Sequence, residues 1–344
     1  MSNQKKLISD ISGICFIAQN DDNNGFVDIV QPENHKQFKG KSLIVGRQTG
    51  IVYFQEKDFI TTDGVLVLIA KGNFVKNRNI GLLIASALTK QMFSFGYNNT
   101  VSATKLNDIT IQLPTKNSKL DFEFMESFIA ELEAERISQL ETYLSTTGLK
   151  NYTLTAEEKR ALDDFENLKF EEFDVIDIFD VKNTGNILSR DVIENSGTTP
   201  YLCASAENNA ISSYISYDEK YLDKGNCVFI GGKTFVVTYQ ENDFYSNDSH
   251  NLVLYLKNEE KRSRLNQLYL ATCINNSLGH KYSWGDSISN RKIQTDKVSL
   301  PVKNQIPNYA IMETFISAIQ KLVIKDVVLY ADKKIAATKN AVKK

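Results

Sequence analysis

One stretch of sequence occurs twice in this chain and decides its organisation. Residues 113–129 read LPTKNSKLDFEFMESFI and residues 300–316 read LPVKNQIPNYAIMETFI, so Leu, Pro, Lys, Asn, Met, Glu, Phe and Ile recur at the same places without a gap. The second copy follows at an offset of 187 residues, which far exceeds the roughly 20–50 residues of a solenoid repeat. The sequence therefore predicts a duplicated domain and not a repeat array.

The similarity extends upstream of this stretch. QEKDF (55–59) returns as QENDF (240–244), and we align FSFG (93–96) with YSWG (282–285). The segment FDVIDIFDVKNTGNI (173–187), which precedes the second copy, has no counterpart before the first. We expect two similar halves with pseudo-two-fold symmetry, and an incomplete sheet edge in the first.

Short apolar runs within each half predict β-strands. Their β-branched and aromatic residues, and the Gly, Asn and Asp residues around them, are typical of strands. The runs are KSLIVGR (41–47), GIVYFQ (50–55), GVLVLIA (64–70), NCVFIGG (226–232), TFVVTYQ (234–240) and NLVLYL (251–256). The predicted class is α/β (α+β), with short mixed sheets.

A helical period follows the strands in each half. Apolar residues recur mostly at spacings of three and four from residue 121 to residue 144, and again in the second copy. A helix of about 24 residues is about 36 Å long, more than one half needs to cover its own sheet. We therefore expect the two copies of the helix to bury part of their stripes against each other, as a coiled-coil-like antiparallel pair that holds the two domains at a set distance. The alternative is that each stripe packs in the core of its own domain. The leading residues of the stripes are Met125, Phe128, Ile129, Leu132, Met312, Phe315, Ile316 and Ile319.

These patterns divide the chain into four parts. We predict a first domain at 1–120, a helical spacer at 121–169, a second domain at 170–307 and a C-terminal helical spacer at 308–344. Within the first spacer, Thr155-Ala-Glu-Glu is a capping signature that predicts a further short helix.

Composition narrows the class of protein. Forty basic and 42 acidic residues give a formal charge of -2, which argues against a highly basic DNA-coating protein but not against local basic faces. No apolar run is long enough to span a membrane and no export signal begins the chain, so we expect a cytoplasmic protein without membrane contact. The four cysteines stand singly and share no ligand spacing with the three histidines, so we expect reduced thiols and no metal site.

Catalytic motifs are lacking. Residues 231–234 (GGKT) resemble the end of a phosphate-binding loop, but Cys227 replaces the first glycine and FVVTYQ reads as a strand where a helix is required. We find no nucleophile elbow, zinc-binding helix, dinucleotide-binding turn, Asn-Pro-Pro-Tyr-like tetrapeptide or nuclease carboxylate set. Catalysis by this chain alone is not expected.

The candidate binding regions are three pairs of polar loops, because loops on a rigid scaffold commonly carry function. The first pair is 18–25 with 204–209, the second is 46–50 with 231–234, and the third is 96–105 with 285–292. Arginine can pair with guanine, Asn or Gln with adenine, and lysine with phosphate. For each polar residue of these loops, the simpler alternative is that it only forms the turn. Phe95 and Trp284 are expected to pack in the core below the third loop pair. The candidate DNA-binding residues are Asn23, Asn24, Arg47, Gln48, Asn98, Asn99, Lys105, Ser205, Asn209, Lys233, Thr234, Ser287, Arg291 and Lys292.

The chain resembles the specificity subunits of restriction-modification systems. The resemblance rests on an aromatic-Ser-aromatic-Gly loop, then KLNDITIQLP (105–114) or KIQTDKVSLP (292–301), then a Met-Glu-x-Phe-Ile helix, and it covers nearly the whole chain. The type IIB branch looks closest and type I next. The resemblance implies two target recognition domains that each read half of a bipartite DNA site, joined by long antiparallel helices. It also implies a non-catalytic subunit, with S-adenosylmethionine and Mg²⁺ bound by partner methyltransferase or fused restriction-methyltransferase subunits.

The leading hypothesis is thus a subunit that recognises double-stranded DNA and directs such partners to it. The alternative is a duplicated protein-binding adaptor, whose Asn-rich loops meet a protein surface and whose helices form a dimerisation stalk. A modified-base motif in the genome distinguishes the two, because an adaptor leaves none.

Overall fold

The computed structural model describes residues 9–32, 35–72, 75 and 77–342, with side chains to residue 337. It divides the chain into two units, Met1–Thr142 with Lys334–Lys344, and Tyr143–Lys333. Both units combine helices with short mixed sheets, and each repeated stretch leads into a long helix. The predicted α/β class is confirmed, whereas the predicted bounds of the four parts stay predictions.

The described residues of the first unit form three small sheets. In strand order these are β2-β1-β6-β3, β5-β4-β7 and β8-β9. The elements are β1 (Ser9–Ile17), β2 (Phe26–Val30), β3 (Gln37–Phe38), β4 (Ser42–Gly46), β5 (Val52–Gln55), β6 (Phe59–Thr61), β7 (Val65–Leu68), α1 (Arg78–Thr89), α2 (Ala103–Asn107), β8 (Thr115–Lys116), β9 (Lys119–Leu120) and α3 (Phe122–Thr146).

The second unit repeats this order with additional elements. Its sheets run β13-β12-β16, β11-β17-β14-β15 and β10-β18-β19. The elements are α4 (Ala156–Asp163), β10 (Phe170–Asp174), α5 (Val175–Ile178), β11 (Phe179–Asn183), β12 (Thr199–Leu202), β13 (Ile211–Ile215), β14 (Cys227–Gly231), β15 (Val236–Gln240), β16 (Tyr245–Ser246), β17 (Leu252–Leu256), α6 (Arg264–Leu278), α7 (Asn290–Ile293), β18 (Lys297–Lys303), β19 (Ile306–Pro307) and α8 (Tyr309–Val342).

All six predicted strands are confirmed. The unbroken apolar runs of β4 and β14 follow from the interior positions of these strands in their sheets. Every residue of β4 and of β14 is buried, as expected for strands covered on both faces. Val45 packs with α1 in the first core, and Ile230 packs with α6 in the second. The GGKT stretch is the turn from β14 to β15, and a strand follows it as expected.

The second unit has a strand with no counterpart among the described residues of the first. β11 pairs antiparallel with the outer edge of β17, from Phe179 opposite Leu256 to Asn183 opposite Leu252. Within the described residues, β7 at the equivalent place pairs with β4 alone. The segment 109–113 likewise forms no strand, whereas β18 pairs with β10. Among the described residues this edge of the first sheet has no partner strand, and the expectation of an incomplete edge stays a prediction.

The connector that precedes this extra segment packs on the long helix α8 of the second unit. Thr155 and Glu158 form the predicted capping box of α4, and the ring of Phe165, just beyond α4, stacks on Phe315 of α8 at 4.4 Å between centroids. The repeat-equivalent of Phe315 on α3 is Phe128, whose ring is 47% exposed. No helix within the described residues is long and apolar enough to cross a membrane.

Candidate nucleic-acid interface

The first loop pair is built around a repeated asparagine. Asn24 and Asn209 both adopt positive φ, 56° and 53°, a conformation that asparagine tolerates better than most residues. Their side-chain amides donate to Phe54 O (3.1 Å) and Tyr239 O (3.0 Å). The side-chain amides of Gln55 and Gln240 donate back to the carbonyl oxygens of the two asparagines. These two asparagines thus fix the loop to the next sheet; Asn23, beside Asn24, is exposed.

The second loop pair connects the central strands. Arg47 is exposed, and its guanidinium has no hydrogen bond or ion pair among the described residues. Gln48 accepts a bond from Gln19 Nε2 at 2.8 Å. In the second unit Thr234 donates to Ala204 O at 2.9 Å.

Lys233, also in the second pair, is held by a carboxylate. Its Nζ lies 2.7 Å from Asp248, which also accepts a bond from His250 N. Burial raises the pKa of Asp248, but the bonds from Lys233 and His250 outweigh it and hold that pKa at about 2. Because Asp248 is then ionised at neutral pH, the charge of Lys233 is partly neutralised within the protein.

The third loop pair is a tight hairpin in each unit. Gly96 and Asn99 exchange backbone hydrogen bonds of 3.1 and 3.0 Å, and Ser283 and Asp286 do the same at 3.2 and 3.0 Å. Lys105 bonds to Asn99 Oδ1 and to Thr100 O. The two predicted phosphate contacts Lys105 and Lys292 therefore make internal bonds.

Lys292 has the equivalent position in the second unit. It contacts Asp286 and donates to Ser287 O. It also lies over the ring of Tyr282 at 5.7 Å from the centroid, as Lys105 lies over Phe95. Arg291, one residue earlier, is exposed without a described side-chain partner.

These matching contacts correct the alignment of FSFG (93–96) with YSWG (282–285). Phe95 is equivalent to Tyr282, and Tyr97 to Trp284, a shift of two residues. Phe95 packs against the first core as expected. The expected core role of Trp284 is wrong, because 75% of this residue is exposed at the hairpin tip. The first and fourth residues of each hairpin exchange the backbone bonds, which directs the intervening side chains away from the core.

The three loops meet in each unit. The bond from Gln19 to Gln48 joins the first and second loops of the first unit, and Val101 N donates to Arg47 O at 2.7 Å to join the second and third. In the second unit the same links run from Thr234 to Ala204 and from Ile288 N to Gly232 O (3.1 Å). Each unit thus gathers its loops into one polar cluster.

The predicted residues differ in how free their side chains are. Asn98 shares the first hairpin tip and is exposed, whereas Asn99 donates to Ser94 O at 2.9 Å. Ser205 accepts from Glu207 N, and Ser287 supplies the carbonyl oxygen bound by Lys292. Which of these residues touch DNA stays a prediction. No group of three His, Cys, Asp or Glu side chains in the described part of the chain could hold a metal ion.

The predicted helix-packing residues separate into two groups. Met125 and Met312 are fully buried in the cores of their own units, and Phe315 and Ile316 pack against the second core. Ile129 and Ile319 are half-buried. Phe128 and Leu132 are exposed by 47% and 40%, and Phe128 stacks on the equally exposed Phe124.

Two domains of one known family span most of the sequence. The model of the type I restriction modification DNA specificity domain matches residues 2–142 and 167–329. The chain belongs to this family. The specificity subunit S.BcgI of a type II restriction enzyme, from Heyndrickxia coagulans, is 23% identical over 322 residues, which are 91% of this chain and 88% of that protein.

One solved structure of such a specificity subunit shares the fold, and a second aligns over most of its length. The S subunit of a type I restriction-modification system from M. genitalium aligns with a TM-score of 0.57 at 12% identity, covering 99% of this chain and 89% of its own. The HsdS subunit from Thermoanaerobacter tengcongensis aligns over 95% of this chain and 85% of its own, at 12% identity and a TM-score of 0.33.

Proposed function

We propose that this specificity-domain protein is the DNA-recognition subunit of a restriction-modification complex, and that each unit reads one half of a bipartite target. The observation that carries the proposal is the polar loop cluster that each unit builds from the same three loops. The scaffold contacts recur between the clusters, whereas the exposed residues differ, with Arg47 and Asn98 in one and Arg291 in the other. A shared scaffold with different exposed groups suits two readers of different base sequences.

Phosphate contacts from a partner are part of this proposal. The formal charge of -2 and the internal bonds of Lys105, Lys233 and Lys292 leave few free cations beside the loops. Since phosphate neutralisation supplies essentially all nonspecific affinity for DNA, the chain alone is expected to bind random duplex weakly. Tight binding requires the cations of an associated methyltransferase.

Catalysis is assigned to those partners. Methylation with S-adenosylmethionine and cleavage with Mg²⁺ would take place in methyltransferase or fused restriction-methyltransferase subunits, while this chain selects the site. The DNA of the cell is the substrate of such a complex, so the proposed location is the cytoplasm.

Co-expression with a methyltransferase subunit of the same restriction-modification system tests the proposal. Sequencing the host genome for modified bases is expected to give one asymmetric split motif, absent when either gene is omitted. No motif would favour the adaptor alternative, in which the loops bind protein. Nanomolar binding of random duplex by the purified chain in physiological salt would also contradict the proposal.

A further inference from the structure

Each loop cluster presents one aromatic ring at the tip of its hairpin. Tyr97 and Trp284 occupy the first of the two tip positions between the bonded pairs Gly96–Asn99 and Ser283–Asp286. They are 78% and 75% exposed. Neither ring has a ring contact or a hydrogen bond among the residues that the structure describes, so neither is needed to hold the hairpin together.

The hairpins beneath these rings are held rigidly. In the first unit the ammonium group of Lys105 donates to Asn99 Oδ1 and to Thr100 O. It also lies over the ring of Phe95, which packs on the core. In the second, Tyr282 stacks on Phe235 at 5.3 Å and its hydroxyl donates to Asp296. A side chain on such a support loses little backbone entropy when it binds a partner.

The tip aromatic recurs although its neighbours change. Asn98 follows Tyr97, and Gly285 follows Trp284. An aromatic side chain exposed at the tip of a rigid loop adds no packing within its own unit, and its ring faces are free to contact a ligand. An aromatic ring can stack on any base, because every base offers a flat π-face.

We propose that Tyr97 and Trp284 each press their ring against the bases of one half-site, as a stacking wedge in the groove that the loop cluster faces. This inference rests on the proposed function and adds its mode of contact. The ring contributes affinity that does not depend on the base sequence, while exposed polar neighbours such as Arg47 and Asn98 discriminate between bases. Partial unstacking at the contacted step would also favour half-sites with a flexible step there.

Trp284 is the only tryptophan of the chain, so it reports on its own contact. The chain is produced with a red-shifted tryptophan analogue and assembled with unlabelled methyltransferase, which keeps the partner's tryptophans silent. Addition of duplex carrying the modified motif is expected to quench the emission of Trp284. Duplex with a scrambled second half-site is expected to leave that emission nearly unchanged.

Substitutions in the same complex measure the contribution of each ring. Trp284→Ala is expected to weaken binding about 5- to 150-fold, the cost of removing one aromatic–base stack, while Trp284→Phe retains most of the affinity. Tyr97→Ala is expected to have a similar effect through the first half-site. Ile193→Ala is the control, because Ile193 is 77% exposed in the second unit and has no aromatic ring.

The proposed function and the stacking wedge can be refuted separately. If the wild-type complex modifies no motif, the proposed function is wrong. If it modifies a split motif but Trp284 emission does not respond, and Trp284→Ala and Tyr97→Ala bind as wild type, the wedge is wrong while the function stands. Unchanged thermal unfolding of the variants, expected for exposed side chains, keeps a loss of binding from being a loss of fold.

Discussion

Glu158 of α4 and Lys321 of α8, 163 residues apart in sequence, form an ion pair at 2.9 Å inside the second unit. Both side chains are largely shielded from water. Glu158 also accepts bonds from Ser317 Oγ (2.6 Å) and Thr155 N (2.7 Å). This carboxylate therefore ties the connector to the long helix.

Glu158→Gln is expected to lower the free energy of unfolding by about 1.5–3 kcal/mol, the usual worth of hydrogen bonds to a charged group. Burial raises the pKa of Glu158, but its three bonded partners and the charge of Lys321 lower it to about 2. The stabilisation is thus fully present above the ordinary pKa of about 4.5 and is lost as the pH falls toward about 2. Denaturant unfolding across this range measures both effects. The exposed Glu157 offers the matched control Glu157→Gln, and an equal loss in that variant would contradict the assignment.

Arg47→Ala is expected to relax recognition at one base pair of the first half-site. A bidentate arginine–guanine contact discriminates by about 1–3 kcal/mol, so that position of the modified motif should become degenerate. Genome-wide mapping of modified bases by the variant complex gives the result directly. If affinity falls evenly for all sequences, and its salt dependence weakens by about one ion, Arg47 contacts phosphate instead.

Phe128 and Phe315 occupy equivalent places on α3 and α8 but differ in their surroundings. Phe315→Ala removes a ring packed between Phe165 and Tyr269, so it is expected to destabilise the protein by up to about 3–5 kcal/mol. Phe128→Ala removes a half-exposed ring, so it is expected to spare stability and weaken assembly with the methyltransferase. Thermal unfolding and co-purification separate the two effects. Full assembly by a Phe124→Ala, Phe128→Ala double variant would mean that the partner binds elsewhere.

Asp223 is expected to make the second unit less stable as the pH rises. Burial raises its pKa to about 6, against the opposing bond from Gly185 N at 2.8 Å. The folded state therefore holds this proton more tightly than the unfolded state, and stability declines between about pH 4 and pH 6. Asp223→Asn keeps an acceptor for Gly185 and should remove this part of the decline. The exposed Glu219 provides the control Glu219→Gln, and parallel pH profiles for wild type and Asp223→Asn would refute the assignment.

The periodicity of the sequence predicts the fold because its strongest signals are local. The buried runs of β4 and β14 and the helices after each repeat all follow from residue type and spacing. The hairpin inside each repeat is not among the predicted elements, although the sequence of its turn indicates it. Asn117 and Ser118, like Asn304 and Gln305, adopt positive φ, and asparagine favours that conformation in two-residue hairpin turns.

The candidate site was harder to predict, because a polar side chain near a loop can bond inward or outward. Lys105 and Lys292 are residues of the type that binds phosphate, yet their ammonium groups bond to oxygen atoms of their own loops. Tryptophan is a residue type expected in a core, yet the hairpin places Trp284 at its exposed tip. Only the three-dimensional pairing of Gly96 with Asn99 shows which residues stand at the tip.

β7 pairs with β4 on one side and has no partner strand on the other side in the part of the chain that the structure describes, which bears on how this protein is handled. Beside β7 lies an apolar cavity of about 360 Å³, lined in part by Leu68, Ile109 and Ile111. An exposed strand edge next to apolar side chains is a template on which strands of other molecules can pair, so self-association on concentration is expected to begin at this edge of β7. A lysine in place of Ile69, which is 69% exposed here, is accordingly the first change to make when samples precipitate.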